Sequence, residues 1–256
     1  MIYVQNLPTT RSEWPIATNR DSFAMRQQKQ TMENDMAATY SPEVWYHPWV
    51  GEQYQQQKFR WLILGESSYG LRDDEQRATE SMIRAHNGDD QRGWAASRYR
   101  ICTAVESLMT GRARLDDDEK RKFWDTVVFY NFVRESMSSA EIRPTSKQFF
   151  ESRNAFSEVV RVHMPHAVLV MGLGLWRYLP GTKDGWVEGE ERIDISMPLP
   201  YENRSLNVWT GYSDGKTKER PFACFQVAHP ASRGFKAEKW SRWMAAATEM
   251  IEKRSV

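Results

Sequence analysis

With 256 residues, 40% of them hydrophobic and 27% charged, and a net charge of +1, the chain suits one α/β domain with additions, or at most two small domains. That charge gives no global attraction to nucleic acid, although a local basic patch can still bind phosphate. No stretch is collagen-like, repetitive, or long and apolar enough to span a membrane. Two cysteines, Cys102 and Cys224, cannot make a four-thiolate iron–sulfur or zinc site.

Residues 1–10 lack a basic segment leading into an apolar one, so a reducing cytoplasm is the expected location. Residues 1–56 are polar and rich in Gln, Met and Asn; they are expected to form an arm docked on a body spanning 57–256. Within the arm, Trp45-Tyr46-His47-Pro48-Trp49 should be irregular, because a proline amid aromatics opposes a regular helix. A first strand is expected at 60–64. A helix follows over 73–87, with Asp73 and Asp74 near its positive end and Asn87-Gly88 as its stop. A second helix over 95–110 puts Ile101, Val105, Leu108 and Met109 on one face and ends near Gly111.

Asp116-Asp117-Asp118-Glu119 opens a short helix, ahead of a second strand at 126–130. Thr145 and Gln148 have capping-box spacing before a helix presenting Phe149, Phe156, Val160 and His163. A third strand at 167–171 leads into Gly172-Leu173-Gly174 and a short helix through Trp176. Residues 181–220 are Gly-rich and charged, with alternation at Ile193-Asp194-Ile195 and Leu206-Asn207-Val208, and read as a β-rich insert. A fourth strand at 222–228 precedes His229-Pro230. The last helix turns Trp240, Trp243, Met244, Ala247 and Ile251 inward. Strand–helix alternation of this kind implies a three-layer α/β/α sandwich around a mostly parallel, four-stranded sheet. Most of the eleven tryptophans are expected to pack rather than to bind.

Three of the four strands end in polar residues: Gly65-Glu66-Ser67-Ser68-Tyr69 after the first, Asn131 after the second, and His229-Pro230-Ala231-Ser232 after the fourth. Open α/β sheets bind ligands at the carboxyl ends of their strands, so Glu66, Ser67, Asn131 and His229 are expected to share one crevice. Each piece alone has an ordinary reading: a strand-to-helix turn, a cap residue, a satisfied loop histidine. His47, His86, His163 and His166 lack ligand-like spacing and read as core or surface residues, and no metal or cofactor is expected.

Taken together, in this order and spacing, the segments resemble the signature motifs of the uracil-DNA glycosylase superfamily over residues 60–245. The resemblance implies a DNA glycosylase that flips out a base. His229 would donate a hydrogen bond to the pyrimidine O2, Asn131 would read the base edge, and Gly65 would let the backbone approach closely. Tyr69 would crowd C5. Phe129, Phe132 and Ser232 would complete the substrate site. Ser67 stands where uracil-specific members often carry Asp, so Glu66, alone or with Ser67, would hold the water, and a modified pyrimidine stays open beside uracil. Arg233, Lys236, Lys239 and Arg242 recur every three residues and are expected to share a basic helix face that, with Ser232 and Arg233, meets the DNA backbone.

The expected activity is thus monofunctional, metal-free excision of a uracil or modified pyrimidine by a monomer, in DNA repair or in defence against phage DNA carrying modified bases. Two other classes stay open. One is a serine esterase with Ser67 as nucleophile, Asn131 as oxyanion donor and His229 as base, although Gln226 stands where that family places Asp and no Gly-x-Ser-x-Gly elbow is present. The other is a non-catalytic module that binds DNA or a modified base.

Overall fold

Side chains of successive strand residues point to opposite faces of a sheet, and the apolar runs here are apolar on both faces, as a doubly covered parallel sheet requires. The computed structural model describes residues 40–72, 75–89, 99–184, 186, 209–212, 221–230, 232 and 235–254. In chain order the strands are β1 (Trp49–Val50), β2 (Trp61–Gly65), β3 (Ser68–Tyr69), β4 (Val127–Asn131), β5 (Ser136–Met137), β6 (Ala167–Met171), β7 (Trp209–Tyr212) and β8 (Pro221–Val227). The α-helices are α1 (Ala78–His86), α2 (Tyr99–Thr110), α3 (Asp117–Trp124), α4 (Ser146–Glu151), α5 (Arg153–His163) and α6 (Ala237–Arg254).

The fold is mixed α/β with a mostly parallel central sheet, in the order β1-β4-β2-β6-β8-β7. The four expected strands form its parallel centre, β4-β2-β6-β8. Two short antiparallel strands extend it to six: β1 beside β4 and β7 beside β8. Trp61, Ile63, Val127, Phe129, Leu169, Phe225 and Val227 face one core, closed by residues of α1, α2, α3 and α6. Leu62, Leu64, Val128, Tyr130, Val168, Val170 and Cys224 face the other, closed by α4 and α5. Helices therefore cover both faces.

Tyr40–Val256 form one compact unit. Val44, Tyr46, Trp49 and Tyr54, in the stretch expected to be an arm, are buried. The segment expected to be irregular contributes β1, because Trp49 and Val50 pair with Phe129 and Val128 and the Trp49 indole donates to the Trp124 carbonyl at 2.8 Å. Residues 1–39 lie outside the described residues.

Local signals place several helix ends. Asp116 and Glu119 form a reciprocal capping box at α3, and Thr145 and Gln148 form one at α4. Gly88 and Gly111, just beyond α1 and α2, have φ of +82° and +72°, a conformation glycine adopts without cost. The helix expected across 146–163 is broken at Ser152, whose Oγ donates back to the Gln148 carbonyl at 2.7 Å and accepts the Arg134 amide at 3.1 Å; such back-bonding bends helices. Asp73, Asp74 and the first residues of the helix expected at 95–110 lie outside the described residues. So do the alternating segments at 193–195 and 206–208. Trp240, Trp243 and Met244 of α6 are buried as expected.

Two buried polar clusters tie elements together, one among three helices and one between α5 and the 40–54 segment. Glu106 on α2 takes the His86 Nε2 contact at 2.6 Å and the Trp124 indole N–H at 2.7 Å, joining α1, α2 and α3. Removing one partner of such a cluster strands the others in low dielectric. Glu106→Ala is therefore expected to cost about 3 kcal/mol, read as a lower denaturant midpoint at unchanged slope. On the opposite face, burial pushes the His163 imidazole down to about 4, beside the Tyr40 hydroxyl and with its own carbonyl accepting from the Tyr54 hydroxyl. An unfolded histidine binds a proton below about pH 6.5, whereas folded His163 does so only near 4. The unfolded chain thus holds more protons in that window, and stability should fall as pH drops through it. Denaturation at pH 7 and pH 5 should show this loss, and His163→Asn should flatten the difference.

Candidate active site

β4 and β6 flank β2 on opposite sides, so the chain leaves β2 in one direction and returns past it in the other. Such a reversal opens a crevice at the carboxyl ends of the strands. The parallel register sets Gly65 beside Asn131, Leu64 beside Val170, and Met171 beside Val227. The loops that follow are held as well. Phe132 and Val133 donate to the carbonyls of Gly65 and Glu66 at 3.0 and 2.9 Å. Farther out, β3 and β5 pair in parallel, and Gly70 donates to Met137 at 2.7 Å.

A cavity of about 520 Å³ opens at this edge. Glu66, Ser67, Tyr69, Phe129, Asn131 and His229 line it from the strand ends, while Ala78, Thr79, Met82, Arg100 and Ile101 wall it from α1 and α2. It is the size of a small-molecule site. Gly65 and Pro230 also line it. The catalytic set expected from sequence is therefore brought together, along with Gly65, Tyr69 and Phe129.

Asn131 is fixed with unusual tightness. Its Nδ2 donates to Ser68 Oγ at 2.8 Å, and a Cβ built on Gly65 would lie 2.3 Å from its Oδ1. Gly65 was expected to admit a ligand closely; the close approach the structure accounts for is that of the Asn131 amide. Glu66 sits across the crevice. Its carboxylate accepts Arg143 Nη2 at 3.2 and 2.9 Å. A Cβ on Gly172 would lie 3.8 Å from Glu66 Oε2 and 3.9 Å from the His229 Cβ. Gly172 has φ of +138°, which side-chain-bearing residues rarely adopt. The carboxylate and the histidine thus both lie beside the turn that ends β6.

Burial holds the His229 imidazole below its ordinary value; Glu66 opposes this and Arg143 adds to it. His229 is thereby kept neutral at neutral pH, with one N–H to donate. A turn anchors it, Ser232 N–H donating to the His229 carbonyl at 2.8 Å. Ser67 lines the cavity, but its hydroxyl has no hydrogen bond to a described residue. The Ser–His couple that an activated nucleophile requires is not assembled.

Other expected residues fall elsewhere. Phe132 is fully buried and packs on Phe149 and Phe156 in the opposite core. The two-residue period of β4 explains it, since Phe129 and Asn131 share one face, and Tyr130 and Phe132 the other. Ser232 is exposed and does not line the cavity. Of the expected basic helix face, Lys236 is exposed and precedes α6, which begins at Ala237, and the side chain of Arg242 lies outside the described residues. A turn closed by Phe235 N–H to the Ser232 carbonyl at 3.0 Å occupies the approach to α6, with Phe235 packed on the core. Arg233 lies outside the described residues, as does the side chain of Lys239 in the first helical turn.

Arg143, Gly172 and the α1–α2 wall were not identified from sequence. The one local signal for Arg143 is the proline after it, which holds the preceding residue extended. Among the described residues no three His, Cys, Asp or Glu side chains gather as a metal site requires, and no helix is long and apolar enough to cross a membrane. Cys102 and Cys224 are buried and unpaired, with burial pushing both thiols up.

Gly65→Ala tests the tight contact. The atom in conflict is the end of a side chain, so the variant is expected to fold, with an unchanged circular dichroism spectrum. Asn131 would swing off Ser68, and ligand binding should fall as far as it does in Asn131→Ala.

No protein-family model matches this chain, and no curated protein matches it.

Proposed function

We propose that this protein is a DNA glycosylase that extrudes a uracil or modified pyrimidine into the cavity and hydrolyses its glycosidic bond. One observation carries the reading. An amide, a neutral histidine and a carboxylate from three distant strand ends face a single cavity. The residues are those whose order resembles the uracil-DNA glycosylase superfamily, and a parallel sheet with helices on both faces is compatible with that resemblance.

The chemistry needs little covalent help. As the bond between the sugar C1′ and the base nitrogen breaks, its electron pair passes to the pyrimidine and collects on O2. A neutral His229 donating there stabilises that charge. The water oxygen bonds to C1′ as its proton passes to the Glu66 carboxylate, which would also orient that water, and the released pyrimidine anion takes a proton from solvent. Asn131 carries both a donor and an acceptor, the two groups a pyrimidine edge requires, and its contact with Ser68 holds the carboxamide in place. Phe129 and Tyr69 supply apolar walls. A cavity of about 520 Å³ is in the range of small-molecule sites and is compatible with uracil and with a modified pyrimidine alike.

The test is direct. The protein is incubated with uracil-containing oligonucleotides and with phage DNAs carrying modified pyrimidines, then assayed for alkali-labile breaks and for the released base by mass. Release is expected from at least one substrate. His229→Ala and Asn131→Ala should each slow it by about 100-fold or more while melting as the parent does. Binding without release from any substrate would make the protein a non-catalytic reader instead.

A further inference from the structure

Arg143 is only half used. A guanidinium has five N–H donors in a planar fork, and here Nη2 alone is engaged, by both oxygens of Glu66. Nε and Nη1 donate to no described residue. The Arg143 side chain is 73% exposed, whereas that of Glu66 is 11% exposed, so the cation reaches in from solvent to a nearly covered carboxylate. An ion pair this exposed adds little stability.

The surroundings point to what the open edge meets. Arg143 follows Glu141, which lines the cavity, and its Nη2 would lie 3.5 Å from a Cβ on Gly174. The 142–143 and 173–174 loops therefore meet at the cavity rim. Both bring exposed aliphatic side chains, Ile142 at 53% and Leu173 at 36%, which suit the sugar and base edges of a strand better than a free ion. A strand entering here meets two carboxylates, Glu66 and Glu141; Arg100 lies on the cavity wall, and Arg143 is the cation at the rim that offsets them.

We propose that Arg143 anchors the phosphodiester beside the extruded nucleotide through its open Nη1 amino group while Nη2 keeps Glu66 oriented. One planar group would then couple docking of the strand to the placement of the water-holding carboxylate. A rigid planar guanidinium can hold a carboxylate on one nitrogen and a phosphate on another at fixed geometry, which the single ammonium of lysine cannot. The inference rests on the glycosylase reading for the identity of the strand, and its test is separable from that reading.

Binding of a uracil-containing oligonucleotide is followed by fluorescence anisotropy over a range of salt for the parent protein, Arg143→Gln and Arg143→Lys. Loss of one phosphate contact should reduce the log–log salt slope of Arg143→Gln by about one. Arg143→Lys should keep the slope and recover only part of the affinity. Linkages flanking the uracil are then replaced one at a time by uncharged methylphosphonate. One of them should weaken the parent about tenfold and leave Arg143→Gln unaffected. An unchanged slope, or linkages that penalise parent and Arg143→Gln equally, overturns the anchor even if base release is robust. Binding that follows the expected pattern without base release sinks hydrolysis and keeps the anchor. No measurable binding by the parent removes both.

Discussion

The site depends on a contact between two neighbouring strand ends, where the Asn131 amide oxygen occupies space that any side chain on Gly65 would claim. Parallel register puts these two residues side by side, and the missing Cβ lets the carboxamide lie against the adjacent backbone. From there it reaches Ser68. Because β3 and β5 are paired, Ser68 is itself held, and Asn131 is pinned from both sides. A rigid amide at the floor of a cavity can select by hydrogen bonding, since a mismatched ligand leaves buried polar groups unpaired.

Electrostatics complete the arrangement. Glu66, Arg143 and His229 bring together a nearly covered carboxylate, a solvent-facing cation and a partly buried imidazole. Burial disfavours charge on the imidazole, Glu66 favours it, and Arg143 again opposes it. The cation therefore has two effects at once, orienting the carboxylate and helping to keep the histidine neutral. Gly172 lies beside both side chains, and its φ of +138° is what calls for glycine at that point.

The rest of the fold serves to keep these strand ends level. Both faces of the sheet are packed by helices, and the polar clusters at Glu106 and His163 pin those helices at specific points. α1 and α2 also form one wall of the cavity, so the Glu106 cluster that joins them sets its shape as well as its stability. Trp49 closes the outer edge of β4, the strand that carries Asn131.

What could be read from the residues alone is what local chemistry dictates. Short apolar runs announced the four parallel strands, Asp116–Glu119 and Thr145–Gln148 announced two helix starts, and Gly88 and Gly111 marked two ends. Polar residues at three strand termini announced a shared crevice, because the carboxyl edge of a parallel sheet gathers them whatever their distance in sequence. Tertiary structure alone decided the rest. A two-residue strand such as β1 owes its existence to the partner it pairs with. The Arg143 ion pair joins residues 77 positions apart, and no local pattern encodes a contact that chain folding creates. Phe132 turned to the opposite core and α6 began after Lys236, since strand parity and a turn packed on the core outweighed proximity and spacing in the sequence.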